Sequence, residues 1–504
     1  MAKILGIDQG TTQTTAVVVS ETGALLARNS VPLPARFPSP GWVEQNPADI
    51  LRSVTQACAP LLEAHHIDAV GLDNQGETFL LWDRKTGEPV TPAIVWQDTR
   101  AASLCKALSE HIDVQGIRSK TGLLLDSYFS APKLKWLFEN QPELRRRAHN
   151  GDLLFGTTDT WVLWSLSGGE LHVTDASTAS RTLLFDIHRC QWDDELLALF
   201  DVPRCVLPEV RPSAGLVGHI RLSPRVEVPV HAMLVDQQAA LVGQGCLSAG
   251  DMKCSFGTGS FLLMNLGQTP RLSKHGLLTT IGWQAQGKTH YALDGGIFVT
   301  GSAVQWLRDN LGLIPDAAAS DAAARRSTDH NVVVVPSLQG LAAPHWRTDV
   351  RGAMFGLSRA SRGDDIVRGT LDGIACRTRE VVDAMALDAG LRPRHLKVDG
   401  GPSGNAYLMQ RIADLAQMEV HVTREVEAAA IGVADLAASS ALGSSLQKLS
   451  SSRQPAIVYH PTMSERDRVR ITSQWNRALD AVKHFHITDE SVTSTGGDRQ
   501  GAST

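Results

Sequence analysis

Two short stretches constrain this chain more than any other feature. Near its start the apolar run KILGID ends in Asp8, a polar turn of Gln9, Gly10, Thr11, Thr12 and Gln13 follows, and TTAVVVS returns as a second β-rich run. Beyond residue 250 the arrangement recurs: DMKCSF, then the turn Gly257-Thr258-Gly259-Ser260, then FLLMNLGQ. A strand–Gly/Thr turn–strand hairpin that occurs twice predicts two similar domains, each opening on such a hairpin. The length of 504 residues agrees, because it exceeds what one hydrophobic core usually supports.

The division is expected near GQGCLSAG, giving an N-terminal domain over 1–248 and a C-terminal domain over 249–487. Residues 488–504 read as a polar, Gly/Ser/Thr-rich disordered tail. Within the first domain, Asn46 and Pro47 mark a helix start. In the second, helices are expected near 302–311 and 364–389, the latter stopped by Gly390. The strand–glycine turn–helix pattern HLKVDGGPSGNAYLMQRIADLA follows. A hydrophobic fraction of 43% with 20% charged residues is ordinary for a soluble globular protein, and the net charge of −5 disfavours nucleic acid as a partner. No apolar run approaches the roughly 18 residues of a membrane span, and the N-terminus reads directly into a strand. The seven cysteines are scattered without a C-x-x-C pair, which argues against a zinc site or a disulfide framework and fits a cytoplasmic protein.

Five stretches have chemistry to offer. A strand-end carboxylate followed by Gly and two hydroxyls, as in Asp8–Thr12, can hold a hydrated Mg²⁺ and wrap phosphate oxygens; it is equally an ordinary hairpin turn. Gly257–Ser260 is weaker alone, but its small residues admit a phosphate close to the backbone, and its placement mirrors the first turn. Gly400 and Gly401, before Asn405, give a flat backbone against which a purine can lie, or simply a tight turn into a helix. Asp236, after the apolar run VHAMLV, can take a proton from an attacking hydroxyl, or merely cap a helix. DNQGETFLLW, residues 73–82, delivers Asn74, Gln75 and Glu77 as a polar cluster around Gly76, which has no side chain.

These stretches together resemble the FGGY carbohydrate kinases, and the glycerol kinases among them. The resemblance runs from about residue 3 to 485. It is carried by Gly41-Trp42-Val43-Glu44, Ala93-Ile94-Val95-Trp96-Gln97, Leu153–Thr157, Asp159-Thr160-Trp161, Ala179-Ser180-Arg181-Thr182, Asp236–Ala240, Gly276–Thr280 and Gln305–Asp309. It implies an α/β protein with two RNase H-like domains of the actin/hexokinase/Hsp70 type flanking a cleft. It implies a polyol kinase using ATP and Mg²⁺, often a homodimer or homotetramer. By position it makes Asp236 the catalytic base and assigns the metal to Asp8 and Asp236. Thr11, Thr12, Gln13, Thr258, Gly301 and Gln305 fall at the phosphates, and Gly400, Gly401 and Asn405 at the adenine. Gly76, Glu77, Tyr128, Asp236 and Gln237 surround the polyol, with Trp96 and Phe261 as its apolar wall. Trp96, Phe261 and Tyr128 also admit a purely structural reading, and Trp42 and Trp161 are assigned to packing.

Three departures stand out from the glycerol kinase pattern. Gly76 replaces an arginine. Gln13 and Thr15 replace a serine and a phosphate-facing arginine. The segment HIRLSPRVEVPV lacks the glycine-rich, arginine-ended loop of the forms inhibited by fructose 1,6-bisphosphate. The expectation is therefore phosphorylation of a primary hydroxyl on glycerol or on a four- or five-carbon polyol or ketose. The substitute for the missing guanidinium would be a neighbour such as Arg100, or a longer substrate. A protein-binding ATPase of the actin/Hsp70 class shares the two turns and is the alternative from another class.

Overall fold

The hairpin Lys3–Gln9 and Gln13–Ser20 sits at the centre of the first of two similar sheets. In this computed structural model, which describes residues 2–424, 427–451 and 453–485, that sheet runs in the order Ala214–Ser223, Val226–Val235, Ala69–Asn74, Lys3–Gln9, Gln13–Ser20 and Leu25–Pro32. Lys3–Gln9 is antiparallel to its hairpin partner and parallel to Ala69–Asn74, which is in turn parallel to Val226–Val235. The second sheet repeats this plan around Met252–Phe256. Its hairpin partner Ser260–Gly267 lies on one side, and the parallel strands His395–Asp399 and Glu419–Val422 lie on the other. Parallel strands end on one side of a sheet, so both sheets bring their polar strand ends to an edge where ligands characteristically bind. The tail expected from residue 488 onward lies outside the described residues.

Both faces of the first sheet are covered, which explains its nearly continuous apolar strands. Leu5, Ile7 and Val18 pack under the helix Pro47–Ala64, whose first turn is capped by Asn46 accepting from the Ala48 amide at 3.0 Å. On the other face, Ile4, Val17 and Val19 meet the helices Asp236–Gly243 and Ala428–Leu442. The helix Ala428–Leu442 belongs to the C-terminal half of the chain yet packs against the first sheet. A Cβ on Gly6 would stand 2.0 Å from the Ala430 carbonyl oxygen, so only glycine allows the helix so close. Leu263, Trp283 and Ala292 of the second sheet complete the same core cluster, so these two helices lie between the sheets.

A third body of structure grows out of the first domain. The short strands Glu44–Gln45, Phe79–Asp83, Ala93–Ile94 and Leu153–Thr157 form a small sheet. Around it lies a separate core that includes Phe79, Phe129, Phe138, Phe155 and Phe185. Glu77, Trp96, Tyr128 and Arg181 all project from this insertion. In the second domain the expected helices span Gly301–Asp309 and Gly363–Ala389, and the latter ends on Gly390 at φ +67°. Among the described residues no helix is long and apolar enough to cross a membrane.

Candidate active site

Three neighbouring parallel strands of the first sheet each carry a carboxylate within one residue of their end. Asp8 and Asp73 are register partners, and Val235 pairs with Asn74 one step further along; the next residue is Asp236. Asp236 is the first residue of its helix rather than the cap, which is Val235. Its carboxylate accepts from the Gln237 amide at 2.7 Å and from Gln237 Nε2 at 3.2 Å. Burial raises the Asp236 carboxyl above its ordinary range, and the Lys253 ammonium pulls it back. Burial, and then the charge of Asp236, push Asp8 up to about 7. Asp73 is raised further by burial and by Asp8, and neither of its oxygens has a hydrogen-bond donor among the described residues. Converging carboxylates with a surplus of lone pairs suit a hard divalent cation such as Mg²⁺. No three His, Cys, Asp or Glu side chains among the described residues form a ready-made cage.

The polar cluster after Asp73 divides in two. Asn74 donates to Asp159 at 3.3 Å and accepts from Thr178 at 3.1 Å. Gln75 donates to Gln45 at 2.8 Å and accepts from Thr78 at 3.1 Å. Both therefore brace the insertion against the sheet. Glu77 is bound to a cation instead. It accepts from Arg181 Nε at 2.7 Å, and Arg181 Nη1 lies 2.9 Å from Asp294 of the second sheet. Burial raises the Glu77 carboxyl, and the Arg181 charge opposes that. Trp96 meets Tyr128 at 5.4 Å and Phe261 at 6.0 Å, both nearly edge-on. All three rings are half-buried, as walls of a cavity would be. Phe261 reaches the pocket from the second sheet. So does Lys253, which is fully buried and donates to Gln237 Oε1 at 2.5 Å, fixing that amide with its NH₂ toward Asp236.

Gly76 stands at φ +67°, and a Cβ there would lie 3.1 Å from Val235 Cγ2. The expected substitute for the missing guanidinium does not come from Arg100. That side chain is bound to Asp98 and to Glu44, each at 2.7 Å, and lies flat over Trp42 at 3.9 Å. Trp42 and Trp161 are packing residues, the latter donating to the Pro47 carbonyl at 3.1 Å. Thr15, where the pattern places the phosphate-facing arginine, is buried with its hydroxyl 3.0 Å from that of Ser30.

The nucleotide residues are arranged differently. Thr12 and Gln13 are exposed at the first turn, and Thr258 at the second. Each turn closes on itself, through Gly10 N to Gln13 O at 3.1 Å and Gly257 N to Gly259 O at 2.7 Å. Thr11 accepts from Trp96 Nε1 at 2.8 Å, which ties the polyol wall to the phosphate turn. The amides of Gly301 and Ser302 donate to Gly257 and Thr258 carbonyls, both at 3.1 Å, so the helix Gly301–Asp309 is locked to the second turn. Gln305 is exposed one helical turn beyond Gly301, on the same face. Gly400, at φ +85°, lies where a Cβ would meet the Phe256 carbonyl oxygen at 1.9 Å, whereas a Cβ on Gly401 would meet nothing within 4 Å. Asn405 accepts from the Leu408 amide and donates to Ser320 Oγ, both at 2.9 Å, and so caps the following helix.

Comparison with known proteins agrees with this geometry. The N-terminal domain model of the FGGY family of carbohydrate kinases matches residues 3–243, and the C-terminal domain model matches residues 252–441. A glycerol kinase from Halorhodospira halophila is 44% identical over 484 residues, covering 94% of this chain and 96% of that protein. A glycerol kinase from Staphylococcus haemolyticus is 43% identical over 497 residues, covering 96% and 99%. The crystal structure of Plasmodium falciparum glycerol kinase with ADP superposes with a TM-score of 0.90 at 33% identity, covering 96% of this chain and 98% of that one. The ligand-bound xylulose kinase of Lactobacillus acidophilus, at 20% identity, covers 95% and 98% with a TM-score of 0.86 and shares the fold. Twin sheets, paired phosphate turns and full-length matches to both family domains lead to one conclusion: the chain belongs to the FGGY family of carbohydrate kinases.

Proposed function

We propose that this kinase transfers the terminal phosphoryl group of ATP to a primary hydroxyl of a small polyol, and that Gly76 admits an acceptor of four or five carbons. The observation that carries the reading is the ring cluster of Trp96, Tyr128 and Phe261, gathered with the Glu77–Arg181 pair and within reach of the charge of Asp236. Glu77 accepts hydrogen bonds from the polyol hydroxyls. Gln237, its Oε1 engaged by Lys253, offers its NH₂ to the acceptor oxygen. Asp236 takes the hydroxyl proton as the oxygen attacks in line. Thr11, Thr12, Gln13, Thr258, Gly301 and Gln305 surround the phosphates, and Gly400, Gly401 and Asn405 form the adenine end. Asp8 and Asp236 would hold Mg²⁺, which when bound neutralises the phosphate oxygens. Enclosure by both domains limits hydrolysis by water.

The length of the acceptor follows from the charges. Among the described residues, the cations around this cluster are engaged: Arg100 with Asp98 and Glu44, Arg181 with Glu77 and Asp294, Lys133 with the carbonyls of Val95 and Tyr128, Lys253 with Gln237 and Ser255. None replaces the guanidinium that Gly76 lacks, and space in a polar site holds water or more substrate. Glycerol itself is the second reading, favoured by the glycerol kinases among the relatives. The test compares kcat/KM for glycerol, erythritol, threitol and the pentitols. The longer polyols are expected to lead, and a preference for glycerol of about tenfold or more, roughly 1.4 kcal/mol, would reverse the assignment.

A further inference from the structure

Asp73 sits beside Asp8 in parallel register, so both side chains leave the sheet on the same face. It is fully buried, and among the described residues neither carboxylate oxygen has a hydrogen-bond donor. The charged groups acting on it are Asp8 and Asp236, both carboxylates. A buried carboxylate in such company is strongly disfavoured unless a proton or a cation stands against it. Asp8 is its register partner on the neighbouring strand, and the Asp8 charge raises the Asp73 carboxyl after burial does. Two facing carboxylates bring only lone pairs, so a shared proton, a donating water or a metal ion must stand against them.

We propose that Asp73 is a further carboxylate of the divalent-cation site, and that Asp8 and Asp73 together hold a hydrated Mg²⁺ on the first domain before nucleotide arrives. This rests on the reading of Asp8 as a metal-facing residue. Three observations favour the metal over the proton. Asp8 is only partly buried, which leaves one side open for the waters that Mg²⁺ retains. Gly10 carries no side chain beside it, where a Cβ would touch Asp8 Oδ1 at 3.4 Å and stand 2.9 Å from the Gln13 carbonyl oxygen. The ammonium of Lys253 is bound to Gln237 and Ser255, and so does not neutralise the Asp8–Asp73 pair. Nucleotide then meets a cation already seated beside Asp236.

The test is a Mn²⁺ titration of the full chain without nucleotide, followed by electron paramagnetic resonance of the free ion, and repeated with ADP. The wild type is expected to take up one Mn²⁺ with a Kd on the order of 0.1–1 mM. Asp73→Asn should weaken this by at least about tenfold. Asp73→Ser serves as a second variant if the first fails to fold, and Mg²⁺ should raise the melting temperature of the wild type but of neither variant. Absence of uptake by the nucleotide-free wild type would mean that a shared proton or a water stands against the pair, and would overturn the proposal. So would Asp73 variants that bind Mn²⁺ as the wild type does. Asp8→Asn separates the two claims: if it leaves Mn²⁺ binding intact both with and without ADP, the reading of Asp8 fails. If it weakens binding while the Asp73 variants do not, only the role of Asp73 fails.

Discussion

The two sheets share one plan, but the acceptor and nucleotide sides proposed for them are built by opposite means. On the acceptor side each functional side chain has a partner: Glu77 with Arg181, Gln237 with Lys253, Trp96 with Thr11. On the nucleotide side the exposed residues Thr12, Gln13, Thr258 and Gln305 stand over turns closed by backbone hydrogen bonds. The acceptor side is thus preorganised by charge pairing. The nucleotide side is preorganised by backbone shape, and glycines decide how closely anything approaches. A small polyol has few atoms to recognise, so its site needs fixed polar groups. A nucleotide presents a long polyphosphate that many backbone amides can share.

The contrast predicts how each side breaks. The largest loss belongs to the shared base. Asp236→Asn should lower kcat by roughly 10²–10⁴-fold with little change in the KM for ATP; near-normal turnover in a steady-state assay would remove Asp236 from the chemistry. Next comes the acceptor side. Arg181→Met leaves Glu77 and Asp294 buried without their cation, and should destabilise the fold by about 3–5 kcal/mol in denaturant unfolding. Unfolding midpoints equal to the wild type would show that the pair is not part of the framework. Smaller effects belong to the glycines. Gly400→Ala forces a left-handed residue against the Phe256 carbonyl and should cost at least about 1–2 kcal/mol. Gly401→Ala meets open space and should leave stability within about 0.5 kcal/mol while raising the KM for ATP a few-fold. Equal behaviour of the two variants would mean that the adenine end is not defined by backbone shape.

How legible each feature is in the sequence depends on where its partner lies. The two turns can be read directly, because Gly and Thr at a strand end carry their meaning locally. Asp236 can be read as the residue that follows a strand, and the structure shows that it is the first residue of its helix rather than the cap. Asn74 and Gln75 look like site residues from their neighbourhood, but their partners Asp159 and Gln45 lie 85 and 30 residues away and convert them into braces. Arg181 is 104 residues from Glu77, and no local pattern announces that pair. Lys253 reads as part of an ordinary strand, and its role appears only when the second sheet is set against Gln237. Asp73 is the penultimate residue of AVGLDN, an ordinary place for a polar residue at a strand end. Its placement beside Asp8 is a matter of register between strands 65 residues apart, as Lys3 and Asp68 already show where the strands begin. The helix Ala428–Leu442 is apolar on all sides because it is buried between two sheets, so its sequence does not reveal which domain it joins.

Position 76 is where the proposed acceptor side lacks a charge that no cation among the described residues replaces. The decisive measurement is the ratio of kcat/KM for the preferred four- or five-carbon polyol to that for glycerol, in the wild type, Gly76→Ala and Gly76→Arg. The alanine variant carries the same left-handed backbone strain as the arginine variant, at about 1 kcal/mol, and so separates strain from charge. If Gly76 sets acceptor length, the wild-type ratio exceeds one, alanine leaves its direction unchanged, and arginine inverts it by roughly tenfold or more. A wild type that prefers glycerol, or an arginine variant whose ratio equals that of alanine, would contradict it.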